Sequence, residues 1–168
     1  AARRANGSPV HRSYTPHMYV PPHNREERPE VMHQLIRTRP LGLLISVGNN
    51  GPVANPIPFV LHAEGASLGT LECHRARANP QWKDLDGQNV LIVFQGPHNY
   101  ISPSHYQTKR ETGKVVPTWN YAMVQVKGAA RVHEEASWLA PQIEALTKAQ
   151  ENSHDKPWAV SDAPSTFI

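Results

Sequence analysis

The segment LGLLISVGNNGPVANPIPFVLH, residues 41–62, most constrains the fold. Two short apolar runs, 41–47 and 53–62, flank the turn residues GNNG, and Asn50-Gly51 is a tight-turn pair, so the two runs read as a β-hairpin. Pro56 and Pro58 have no N–H to give to a ladder, which places them at an edge, a bulge or a strip facing a ligand. The same pattern continues down the chain. After the turn AEGA, SLGTLECH (67–74) reads as a strand, VLIVFQG (90–96) as a buried one, NYISPSHY (99–106) as its successor, and NYAMVQVKGAARVH (120–133) as a long one.

Helices are fewer. Pro29 suits a first turn, Val31, Met32, Leu35 and Ile36 follow at helical spacing, and Pro40 stops the helix near Arg39. ANPQWKDL (78–85) reads as a short helix and QTKRETGK (107–114) as a polar connection. Residues 134–150 read as a helix with Trp138, Leu139, Ile143 and Leu146 inward. About six strands with hairpin links and two or three peripheral helices predict a mainly β chain, an antiparallel barrel or strongly curved sheet. Neither G-x-G-x-x-G nor G-x-x-x-x-G-K-[ST] occurs, in keeping with that order.

The 168 residues fit one domain, 18–168, preceded by a flexible arm, 1–17, with Met18 a natural start. The single Cys73 rules out an internal disulfide and any zinc site built on paired thiolates, which favours a reducing, cytoplasmic setting. No run approaches the ~20 apolar residues of a membrane span, and no signal-peptide core is visible. The net charge of +3 resides in the arm, where Arg3, Arg4 and Arg12 stand without an acid. The rest is neutral, so direct DNA binding has weak support from charge.

Cys73 and His74 are neighbours on a strand and point to opposite faces, so they cannot chelate one ion, and the other histidines show no ligand spacing. No metal site is expected, and no G-x-S-x-G elbow suggests a hydrolase. In HRARANP, Arg75 and Arg77 share a face if the strand continues. Such a fork suits a phosphate, and an exposed basic strand end fits these residues equally well. Asn79-Pro80 adds a turn or helix start whose N–H groups can face an anion. Trp119, Tyr121, Tyr100 and Tyr106 lie beside proline-stiffened backbone; they could flank a planar ligand, anchor a subunit interface or pack a corner.

Together MYVPPH (18–23), PLGLLIS (40–46), ANPIPF (54–59), CHRARANPQW (73–82), FQGPHNYISPSHY (94–106), KVVPTWNY (114–121) and DAP (162–164) resemble, in order, the PaiB family of FMN-binding negative transcriptional regulators. The resemblance implies a split β-barrel of Greek-key antiparallel type, related to the pyridoxamine-phosphate oxidases, with FMN near the interface of a homodimer. It implies that Asn55, Ile57, Pro58 and Phe59 line the isoalloxazine, that His74, Arg75, Arg77 and Asn79 hold the phosphate, and that Trp119 and Tyr121 close the site from the partner subunit. The chain departs from the family at Arg75, usually aliphatic, which makes Arg77 the stronger phosphate candidate, and at His105 and Gln125. The family also continues past DAP into a C-terminal segment expected to be lacking here. The implied role is negative regulation of transcription; the alternative is a flavin-dependent oxidoreductase acting on a small substrate, for which no catalytic residue stands out.

Overall fold

The computed structural model describes residues 18–66 and 68–164, so the expected arm lies outside the described residues. The fold is mainly β. Strands β1 (Leu41–Gly48), β2 (Gly51–Pro58), β5 (Asn89–Ile101) and β6 (Thr118–Ala129) form one antiparallel sheet in the order β2-β1-β5-β6, and β3 (Val60–His62) pairs with β4 (Thr70–Glu72) as a separate two-stranded ribbon. Among the described residues, hydrogen bonds do not join the two into a closed barrel.

The hairpin forms as the turn residues require. β1 and β2 pair over eight residue pairs from Gly48↔Gly51 to Leu41↔Pro58, and Gly51 carries φ +102° while Asn49 and Asn50 keep negative φ. Pro52, Pro56 and Pro58 fall at one parity of β2, the outermost strand of this sheet. Their missing donors therefore face the open edge and leave the ladder with β1 whole.

Several expected strands differ from those observed. The run 53–62 breaks at Phe59, whose N–H donates to Pro40 O at 2.9 Å, and the chain turns there from the sheet into the ribbon. The run 90–96 and the start of 99–106 are instead a single 13-residue strand that ends at Ile101, and Pro103–His105 turns as a 3-10 helix. Register slips between Gln95↔Met123 and His98↔Tyr121, so Gly96 and Pro97 together oppose Ala122 as a bulge, where a proline without an N–H is tolerated.

The core lies on one face of the sheet. Leu44, Ile57, Val90, Ile92, Phe94 and Val124 are covered by Ile36 of α1 (Pro29–Thr38), by Leu85 and by Phe59, which meets the fully buried Phe94 edge-on at 5.7 Å and 74°. The short α2 spans Gln107–Glu111, and α3 spans Ala136–Glu151. On α3 Leu146 is buried and Trp138 and Ile143 half-buried, as expected, but Leu139 is exposed and the polar Gln142 takes a buried place beside them. Among the described residues no helix is long and apolar enough to cross a membrane.

Candidate functional site

The ladder of β4 ends at Glu72 and the chain turns at Arg77–Ala78, so Arg75 and Arg77 do not sit on a continuing strand. The two arginines diverge. Arg77 is exposed, pairs with Glu134 through Nη1 at 3.1 Å and lies 5.9 Å from the Trp82 ring centroid. Arg75 is half-buried, and its Nη1 donates to the neutral Oε1 of Gln81 at 3.0 Å. Among the described residues no carboxylate lies within ion-pair distance of Arg75. Burial pulls its guanidinium below the ordinary value, and the Cys73 thiol opposes that shift. An arginine stays charged under such a shift, so the site holds a partly desolvated cation with no counterion.

Gln81 organises this corner; it lies within the motif CHRARANPQW but is not among the expected site residues. It sits in the 3-10 helix Pro80–Asp84 and is only 8% exposed. Asn79 caps that helix, its Oδ1 accepting from Gln81 N at 3.2 Å, so this N–H is occupied within the chain. The Gln81 side chain crosses to the sheet: Nε2 donates to Ser46 Oγ at 2.9 Å, with Leu44 O and Val53 O at 3.4 Å, and Oε1 accepts from Asn55 Nδ2 at 3.0 Å. Asn55, Arg75 and Asn79 are thus joined through one residue.

The other candidates separate from this corner. Ile57 and Phe59 are 3% and 4% exposed and belong to the core, and Phe59 also lines the cleft beside Arg75. Pro58 lies opposite Leu41, on the other face of β2. His74 meets the buried Gln142, Nδ1 to Oε1 at 2.7 Å, and the Nε2 of Gln142 has no partner among the described residues. His74, Arg75 and Arg77 line a cleft of about 740 Å³ between the sheet, the ribbon and the start of α3, whose wall includes Leu61, Leu71, Val126 and Leu139. Burial pushes the Cys73 thiol in this wall up to about 11, Arg75 pulling the other way.

Trp119 and Tyr121 stand on the sheet's outer face. Asn55 pairs with Leu44 on the core face, whereas the β6 positions Met123 and Gln125 share the face of Leu43 and Val93, and Tyr121 and Trp119 continue that parity. Their rings are 61% and 55% exposed; Trp119 stacks on His98 at 5.8 Å and meets Tyr100 at 6.0 Å. With exposed Leu41, Leu43 and Val47 they make the outer face largely apolar. Within one chain this aromatic cluster and the Arg75 corner lie on opposite faces of the sheet. Among the described residues no cluster of His, Cys, Asp or Glu could hold a metal ion.

The family profile described as "Putative FMN-binding domain" matches residues 18–168. An uncharacterized protein of Emericella nidulans is 37% identical, the match covering 90% of this chain and 74% of that protein. One from Aspergillus fumigatus is 34% identical, over 90% and 76% of the two chains. The Protease synthase and sporulation protein PAI 2 of Bacillus subtilis, the PaiB protein, is 29% identical over 83% of this chain and 65% of its own.

Proposed function

The chain belongs to this FMN-binding-domain family, and on that premise we propose that it is a PaiB-type split-barrel protein that binds FMN as a homodimer and acts as a negative regulator of transcription. The observation that carries the reading is the family match across residues 18–168. Local chemistry supports it at two places.

The first is Arg75. A half-buried guanidinium whose sole protein acceptor among the described residues is a neutral amide fits a phosphomonoester, since planar N–H groups meet phosphate oxygens bidentately. Arg75 would hold the phosphate with help from His74. Arg77, already neutralised by Glu134, would contribute less. The bound flavin supplies electron and hydride transfer at its ring; the chain supplies placement and electrostatics.

The second is the outer face. A contiguous apolar face of this kind marks an association surface. A second copy docked there would cover Leu41, Leu43 and Val47 and carry its Trp119 and Tyr121 toward the partner's flavin, which one chain cannot do alone. The ribbon after Phe59, folding away from the sheet, is the piece that would complete the split barrel.

Absorbance of the purified protein, with and without added FMN, tests the cofactor: a flavin band that stays with the protein through gel filtration is expected, and its absence overturns the reading. NADPH oxidation by the loaded protein would move the assignment to a flavin oxidoreductase. The regulatory role rests on the likeness to PaiB and is tested by transcript levels in a strain lacking the gene, where derepressed transcripts are expected.

A further inference from the structure

We propose that Gln81 is the positioning residue of the phosphate corner: its neutral side-chain oxygen fixes Arg75 without cancelling the charge, and so sets selectivity for flavin bearing a phosphate. The inference rests on the FMN reading above and goes beyond it to a residue that does not itself contact the ligand.

The orientation of the Gln81 amide is determined by its surroundings. The carbonyls of Leu44 and Val53 accept only, so the end near them must be the NH2 group, which also reaches Ser46 Oγ at 2.9 Å. The opposite end meets two groups that can only donate there, Arg75 Nη1 and Asn55 Nδ2, both at 3.0 Å, and must be the oxygen. One oxygen thus ties Arg75 to β2, and three acceptors from β1 and β2 hold the other end. With the side chain almost wholly buried, this arrangement has little freedom to reorganise.

An acceptor for a half-buried arginine is ordinarily a carboxylate, which would supply the counterion from within. An amide gives the geometry and leaves the positive charge to be satisfied from outside. Arg77 is the contrast within the same loop: Glu134 already neutralises it.

The test compares FMN with riboflavin, which differ only in the phosphate, by fluorescence titration of the full chain. The wild type is expected to prefer FMN by about tenfold or more, the worth of one charge-assisted contact. Gln81→Glu keeps an acceptor beside Arg75 but adds the counterion, and the preference should fall below about twofold while riboflavin affinity holds within the same factor. A merely structural role would weaken both ligands together. A folded Gln81→Glu protein that retains the wild-type preference, or loses both ligands equally, overturns the proposal. If that variant shows no cooperative melt, Arg75→Met decides: a preference surviving without the cation leaves Gln81 nothing to position and overturns the proposal, and its loss with riboflavin binding kept supports it. A wild type that binds neither flavin refutes the FMN reading itself, whereas equal binding of both refutes this inference and leaves that reading standing.

Discussion

At Gly42 the absence of a side chain is a packing requirement. A Cβ there would lie 2.7 Å from Phe94 Cε1 and 2.9 Å from Ile92 Cγ2, inside the best-buried part of the core. Phe94 is fully buried and braced by Phe59, so it has little room to give. Gly42→Ala is expected to destabilise the protein by about 1–3 kcal/mol, the usual cost of overpacking, read as a lower urea midpoint at constant slope. Cys73 offers a second test. Its thiol is pushed from 9.0 to about 11 by burial, so the folded state favours the neutral form. The sign follows from linkage: this stabilisation is complete below pH 9 and is lost as pH rises toward 11. Wild type should therefore lose stability relative to Cys73→Ala across that window, and at pH 8 its thiol should alkylate about a hundredfold more slowly than a free cysteine. Equal rates would show an exposed thiolate. The residues that organise the candidate site were the least legible ones. Gln81 and Gln142 are polar side chains at inward positions, and apolar periodicity assigns such residues to solvent; only the three-dimensional placement of Ser46, Asn55, Arg75 and His74 supplies their partners.

At the level of elements, local signals located the strands well and their ends poorly. GNNG announced the first hairpin, and the structure concentrates its backbone demand on Gly51, at φ +102° with open space around the missing Cβ. Gly51→Ala should therefore cost about 1–2 kcal/mol through backbone strain alone, with no clash, and the loss should appear in chemical denaturation without a change in the ligand titrations. Gly96-Pro97 reads as a terminator by local rules, yet the ladder resumes beyond it because the bulge absorbs one residue and β6 continues to offer partners. Phe59 had the opposite effect. Its side chain suits a strand, but the drive to bury it against Phe94 turns the backbone at that point and divides one apparent strand into two with different partners. Strand pairing depends on contacts distant in sequence, which a local window does not contain. The same reason explains why the Arg75 and Arg77 fork was expected: it required β4 to continue past Glu72, and among the described residues no strand pairs with the chain there.

At the level of the whole molecule, the two halves of the candidate site lie on opposite faces of one sheet. The Arg75 corner is reached from the core side, and Trp119 and Tyr121 stand on the outer side with the exposed leucines and valine of β1. Within one chain Trp82 and Trp138 share the cleft with Arg75, whereas Trp119 and Tyr121 can contribute to a flavin there only from a second copy, so on the dimer reading association and cofactor affinity should fail together. Leu43 and Val47 test this, since both lie on the outer face, away from the Gln81 network and outside the core. The double change Leu43→Lys, Val47→Lys sets like charges against their symmetry mates in a dimer and costs a lone chain little, within about 0.5 kcal/mol for each exposed site. The expected solution mass by sedimentation is that of a dimer for wild type and a monomer for the variant, with similar melting curves. FMN affinity should fall by at least about tenfold, because losing one well-packed aromatic contact of about 1.4 kcal/mol is sufficient for that. A monomeric variant that binds FMN as tightly as wild type would place the whole site within one chain. In that case the cleft beside His74, Arg75 and Cys73, rather than the outer face, would hold the ring, and substitutions at Leu61 and Leu71 in its wall should then weaken FMN binding where those at Trp119 and Tyr121 do not.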